Sequence, residues 1–366
     1  MFYPLKCRAS RVVINRLRTG LLGCWGAAAM ATGAVAGEAV LPLHCRQVTP
    51  KTCEAAAAMA RGVNMGGMLD APREGDWGVR LDHGYADVIA GKFQTVRIPV
   101  RWSNHASPDA EARIDPFFLR RVTSAVDAFL ARGLYVIVNV HQYQQLMGEK
   151  LQPNEFKVDD AVVEARLFSI WRQLSAHFKN HPDRLVFELL NEPSGRLDHD
   201  VWNELIPKLL GIVRQENPRR VVLVGPAGRN YVKALPKMRL PKDPNVIATA
   251  HTYDPFNFTH QGAKWIPLDL PRGVTCCDKK QREQIIEGLE AARAWSEANG
   301  RPVYIGEFGV YKTADEDSRA NYARVVRVEA ERRGMSWAYW DFANAFGIYS
   351  PRTGDWLPKM LPALTD

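Results

Sequence analysis

Leu185-Val-Phe-Glu-Leu-Leu-Asn191-Glu192-Pro193 is the stretch on which the reading of this chain turns. Five of its first six residues are apolar, the composition of a parallel strand buried on both faces. Pro193 stops the pairing, so the side chains just before it stand at the strand's carboxyl end. A second short apolar run, Val303-Tyr-Ile-Gly-Glu307-Phe-Gly309, also delivers a glutamate at its end, between glycines that let a bulky group come close. Two such carboxyls on two parallel strands suggest hydrolysis of a glycosidic bond, a reaction that uses one carboxylic acid and one carboxylate.

Outward from these two runs, an alternation of apolar strand, polar turn and amphipathic helix begins at residue 61 and continues to the end of the chain. Strands are predicted at 61–67, 93–99, 134–141, 185–192, 220–225, 246–253, 302–307 and 335–341. Helices are predicted near 82–91, 116–132, 159–180, 200–216, 279–299 and 317–333. Asp115-Pro116 reads as an N-cap followed by a first-turn proline, and Asn299-Gly300 as a stop. Eight strands with helices between them predict an α/β fold, one (β/α)8 barrel over residues 61–366, because right-handed crossovers wind such a repeat into a closed sheet. A doubly wound open sheet is the alternative, but neither Gly-x-Gly-x-x-Gly nor a phosphate loop is present. The aromatic-rich segment 254–277 is long for a loop and is expected to form a wall or lid of the site.

At 366 residues and 46% hydrophobic content the chain can bury a large core. Residues 1–36 carry five basic and no acidic residues, then an apolar run from Leu21 that closes on Ala34-Val35-Ala36. That pattern is a secretory signal peptide, and its short Ala/Gly-rich run is a poor permanent membrane span. Leu21-Leu-Gly-Cys24 resembles a lipobox, with too few apolar residues before it. Residues 37–60 are expected to cap the barrel's closed end. The 48 basic and 40 acidic residues give a net charge of +8, of which five positive charges lie in residues 1–36. The basic balance therefore belongs largely to export, and no nucleic-acid partner is implied. The expectation is a secreted or periplasmic monomer of bacterial type, with no stable membrane partner. Cys45, Cys53, Cys276 and Cys277 follow the signal, an even number in an oxidising compartment. A bond between neighbours 276 and 277 would strain the backbone, so Cys45–Cys53 alone, or cross-pairs tying the amino-terminal segment to the loop at 276, are expected. The cysteine spacing does not suit a metal site, and no cofactor is expected.

The polar residues sit where a barrel would use them. Arg97, His141, Asn191, Glu192, His251, Tyr253, Glu307 and Trp340 each lie at or near the carboxyl end of a predicted strand, and in a barrel that rim faces one cleft. Taken in order, Val-Arg97-Ile-Pro, His141, Asn191-Glu192-Pro193, His251-Thr-Tyr253, Gly-Glu307-Phe-Gly and Trp340 resemble glycoside hydrolase family 5, the cellulase family. The resemblance covers roughly residues 60–360, and the long segment after His251-Thr-Tyr253 resembles that of bacterial endo-β-1,4-glucanases, a less specific signal. It implies a retaining β-glycanase with Glu192 as acid/base and Glu307 as nucleophile, acting on a polysaccharide.

The residue types fit those roles on chemical grounds. A retaining mechanism needs the two carboxyls roughly 5–5.5 Å apart with their pKa values pushed apart. Arg97 is the cation expected to keep Glu307 ionised, and Tyr253 can donate to the same carboxylate. Asn191 can reach a sugar 2-hydroxyl, His141 and His251 can bind hydroxyls or orient the glutamates, and Trp340 offers a flat face to a pyranose ring. Trp102, Tyr143, Trp265 and Phe346 follow strands two, three, six and eight as further candidate sugar platforms, with core packing as the rival reading. Glu188 is expected to face the helix layer or to close a salt bridge at the barrel bottom. An endo-β-1,4-mannanase or mixed-linkage glucanase would use the same machinery, and a silent glycan-binding barrel is the alternative from another class.

Overall fold

The structure, a computed structural model, describes residues 40–366; the signal-peptide expectation lies outside the described residues. Eight parallel strands close into a barrel in chain order: β1 (Arg61–Asn64), β2 (Thr95–Ile98), β3 (Tyr135–Asn139), β4 (Leu185–Glu188), β5 (Val222–Val224), β6 (Val246–His251), β7 (Val303–Phe308) and β8 (Ser336–Tyr339). Pairing of Gly62 with Ala338 joins the last strand to the first, so no edge is left open. The long crossover helices, among them Pro116–Leu130, Val163–Phe178, His199–Glu216, Lys279–Asn299 and Glu316–Arg332, form the outer layer. Their starts are set locally. Asp115 caps the first of them through the amides of Phe117 and Phe118, and Asp278 with Gln281 makes a reciprocal capping box on the fourth.

Alternation along the strands decides what fills the barrel. Leu185 and Phe187 of β4 join the core shared with the helices, whereas Val186 joins a separate interior cluster with Ile137, Leu223, Ile247, Tyr304 and Ala338. A short helix, α1 (Pro50–Ala58), closes this cluster from below with Ala55 and Ala56, and Met59 follows it. Two interior hydroxyls fasten it there: Thr95 Oγ1 donates to the Met59 carbonyl at 2.6 Å and Ser336 Oγ to the Ala56 carbonyl at 2.5 Å. The disulfide Cys45–Cys53 ties the preceding segment onto α1.

Two local expectations are corrected, and one small element is added. The helix expected at 82–91 is only Tyr85–Ile89, bounded by Gly84 and by Gly91, whose φ of +80° suits a turn. A small antiparallel pair, Tyr349–Ser350 with Asp355–Trp356, follows the barrel and was not anticipated. The neighbours Cys276 and Cys277, expected to stay unbonded to each other, form a disulfide across a cis peptide that brings their Cα atoms to 3.0 Å. No helix among the described residues is long and apolar enough to cross a membrane.

Candidate active site

One residue pair further up the same interior faces, the apolar filling gives way to a buried polar layer. Arg97 of β2 is wholly buried and forms its centre. Its Nε and Nη2 donate to the two oxygens of Glu188 at 2.6 and 2.8 Å, a bidentate pair. Nη1 donates to Asn64 Oδ1 and to Glu307 Oε1, both at 2.8 Å, and Nη2 also to Asn191 Oδ1 at 2.7 Å. A lone guanidinium at zero exposure would be costly; here each face of the fork meets an acceptor. Glu188 is thus corrected: it points into the barrel. The reason is parity, since Val186 and Glu188 share one face of β4 and Val186 lies in the interior cluster.

Above this layer the two strand-end glutamates meet. An oxygen of Glu192, an oxygen of Glu307 and Nδ1 of His251 lie within 4.8 Å of one another. Tyr253 Oη donates to Glu307 Oε2 at 2.9 Å, and His251 Nδ1 is 3.0 Å from Glu192 Oε1 and 3.6 Å from Glu307 Oε2. Glu192 holds its place with φ +49°, a left-handed conformation that non-glycine residues adopt rarely and that persists where surrounding contacts impose it. Among the described residues this trio is also the one group arranged to hold a metal ion, but Arg97 already supplies its counter-charge at 2.8 Å.

Burial pushes both carboxyls up, and their neighbours then separate them. The hydrogen bond from His251, with the charges of Arg229 and Arg97, brings Glu192 below the ordinary glutamate value. Glu307, more enclosed and facing the charge of Glu192, stays above it despite His251, Arg97 and Tyr253. Burial, reinforced by the charge of Arg97, pushes His141 well down, so this ring is neutral and free to stack. It lies flat against Trp340, centroids 5.3 Å apart with 5° between the planes.

A cavity of about 650 Å³ opens over these groups. His141, Asn191, Glu192, Tyr253, Glu307 and Trp340 line it, and Arg97 and His251 support it from beneath. Of the four further aromatic candidates, two are brought here. Trp265, 53% exposed, stands on the wall made by segment 254–277 with its ring edge against Tyr311, and Phe346 lies between Tyr253 and Trp265. Trp102 and Tyr143 are corrected: both are buried away from the cavity. Trp102 donates from Nε1 to the Asn139 carbonyl at 2.9 Å, and Tyr143 donates to the Val163 carbonyl at 3.1 Å while accepting from Arg166. Turns directly after β2 and β3 fold these rings back between the helices, where each polar tip finds a partner.

Several lining residues escaped the sequence reading. Trp77, Gln142, Gln152, His260 and Asn344 all face the cavity. Trp77 lies over the guanidinium of Arg101 at 5.5 Å, and Arg101 is itself tied to Glu155, Gln144 and the Asp70 carbonyl. The available signal was an aromatic residue inside an unusually long connection after β1. His260, stacked on Phe256 and pushed by burial down to about 4, is a neutral ring on the opposite wall. Asn64, the polar end of β1 after Gly62 and Val63, carried the same strand-end signal as the eight residues named from sequence.

A family model described as cellulase (glycosyl hydrolase family 5) matches residues 58–346, and the chain belongs to that family. It is 34% identical over 313 residues to Endoglucanase H of Acetivibrio thermocellus, covering 84% of this chain and 33% of that protein. The chain thus spans about a third of the length of that curated relative. Among solved structures, Cel5A of Thermotoga maritima in complex with a mannotriose substrate superposes with a TM-score of 0.80 at 37% identity, covering 85% of this chain and 99% of that one. The cellulose synthase subunit Z of Clostridioides difficile superposes with a TM-score of 0.78 at 34% identity, covering 84% and 100%.

Proposed function

We propose that this protein is a secreted, retaining endo-β-1,4-glucanase that cleaves cellulose-like chains through a glycosyl-enzyme on Glu307. The observation that carries the mechanism is the closeness of the two carboxylates, with oxygens inside 4.8 Å. That fits the roughly 5–5.5 Å of a retaining pair and not the roughly 6.5–9.5 Å that leaves room for a water. Glu307 is the nucleophile because two donors, Arg97 and Tyr253, are aimed at its oxygens and stabilise its charged form. Glu192 is the acid/base. A sugar seated over the cleft strips water from this more open carboxyl and favours its protonated form, so the ordering of the empty site reverses as the substrate binds. Glu192 then protonates the leaving oxygen while Glu307 attacks the anomeric carbon. In the second half Glu192 takes a proton from the water that releases the sugar.

Around this pair the remaining residues bind and orient. With its oxygen taken by Arg97, the Asn191 amide presents N–H donors suited to a sugar 2-hydroxyl. Trp340, held flat by His141, supplies a ring platform, and Trp265 with Phe346 a second one on the far wall. In this reading residues 1–36 are the export signal, 37–60 the cap and 61–366 the catalytic domain. Mannan is the second substrate to consider, since a relative of 37% identity has been solved with mannotriose. The test is reducing-sugar release from carboxymethylcellulose, barley β-glucan and galactomannan side by side. Activity on the glucans that falls roughly 10³-fold or more in Glu307→Gln, with folding intact, is expected. Equal activity of variant and parent would sink the assignment, and a preference for galactomannan would replace the substrate.

A further inference from the structure

The turn 226–231, directly after β5, lies between the two strands that carry the acid/base and its histidine. The amides of Gly228 and Arg229 both donate to the Pro193 carbonyl, at 2.9 and 3.2 Å, next to Glu192. At the other end of the turn the Asn230 carbonyl accepts from the His251 amide at 2.7 Å. Arg229 and Asn230 are held in the left-handed region, with φ of +62° and +54°, so this short connection contains two such non-glycine residues beside a third, Glu192. Strain of this kind persists only where surrounding contacts impose it. Asparagine is among the few residue types that accept it.

The conformation places the Asn230 carboxamide, at zero exposure, behind the imidazole of His251. Its Nδ2 lies 3.4 Å from His251 Nε2, on the opposite side of the ring from Glu192. Its Oδ1 is turned toward Gly225, where a Cβ would come within 2.2 Å, so only glycine there leaves room for the amide. Oδ1 has no hydrogen-bond partner among the described residues. The amide therefore makes one directed contact, and that contact is to the histidine that touches both glutamates.

We infer that Asn230 is a positioning residue for the acid/base: by donating to His251 Nε2 it keeps that nitrogen unprotonated and holds the ring's proton on Nδ1, between Glu192 and Glu307. An amide N–H can only donate, so it selects the tautomer whose Nε2 is a lone pair. The Nδ1 proton then steadies the ionised form of Glu192, which the second half of the reaction needs as its base. The other charged and titratable groups around Glu192 and His251 are Arg97, Arg229, Glu307, Tyr253, His260 and His141. Asn230 changes none of their charges, and its effect passes through the ring alone. The kinetic part of this inference rests on the reading of Glu192 as acid/base.

The test reads the ring directly. In the full-length, 15N-histidine-labelled protein, long-range 15N–1H spectra assign His251 by comparison with His251→Gln. Nε2 is expected to be unprotonated in the parent. It should become protonated in Asn230→Asp, which keeps the size and the left-handed tolerance but can only accept. Asn230→Gly, which fits the backbone and removes the amide, should mix the tautomers. It should lower kcat roughly tenfold with KM within about twofold. The basic limb of its pH profile should move up by about 0.5–1 unit, because a lone pair on Nδ1 lets Glu192 keep its proton longer. Protonated Nε2 in the parent would overturn the inference. So would an Asn230→Asp spectrum identical to the parent's, or an Asn230→Gly variant altered only in melting temperature. The spectra need no substrate, so a parent protein inactive on every glycan would overturn the proposed activity and leave the inference on His251 to be decided by them.

Discussion

On β6, Ile247 and His251 face the same barrel interior four residues apart. Ile247 is fully buried in the cluster with Val186 and Leu223 that α1 closes from below. His251 is almost as buried, at 1% exposure, yet it stands between two carboxylates and an amide. Equal burial thus serves two ends. Below, the cluster around Ile247 is filled by shape, and an apolar group of similar volume would serve. Above, Arg97, Glu188, Glu307, Glu192 and His251 are tied to one another by named hydrogen bonds, so the loss of one leaves another stranded.

That contrast can be broken at Arg97, where the largest effect is expected. Arg97→Met conserves much of the volume but leaves Glu188 and Glu307 without their cation. Unfolding free energy should fall by about 3–5 kcal/mol, and kcat/KM at least roughly 100-fold below the melting transition. A variant that melts like the parent would mean that the upper layer is as forgiving as the lower one. The converse change is Ile247→Ala, which should cost about 2–4 kcal/mol in denaturant titration through the cavity it opens. Its kcat and KM should stay within about twofold of the parent's at a temperature where both are folded. A selective loss of activity would show that the lower filling tunes the site. The smallest effect belongs to the open wall: Trp265→Ala should raise KM on long chains by about 3–10-fold, the worth of one ring contact of about 1 kcal/mol, with little change in kcat. An unchanged KM would remove this aromatic from the substrate path.

The strand-end polar residues were legible because a buried strand is monotonously apolar, and a charged or hydrogen-bonding residue at its end stands out. The same rule read Glu188 wrongly. It is the last residue of β4 and shares parity with Val186, whose interior place is fixed by the other strands around the barrel. Trp102 and Tyr143 show a second limit. Both follow strands, as Trp340 does, yet whether an aromatic opens on the cleft or folds back depends on the one or two residues of turn before it. The vicinal disulfide Cys276–Cys277 was likewise not to be read from adjacency, which by itself disfavours such a bond. Asn230 carried no signal at all, since its neighbours in the chain are turn residues and its contact is to a histidine 21 positions away.

What the amino-acid sequence determined by itself was the periodicity of eight strands and their crossovers, and with it the rim on which Glu192 and Glu307 meet. Those properties follow from local alternation and from the handedness of the chain, which act over a few residues at a time. Only the tertiary structure decided which donors satisfy which carboxyl, which aromatics line the cavity and what stands behind His251. These are matters of tenths of an ångström between residues far apart in the chain, set by how the whole barrel packs.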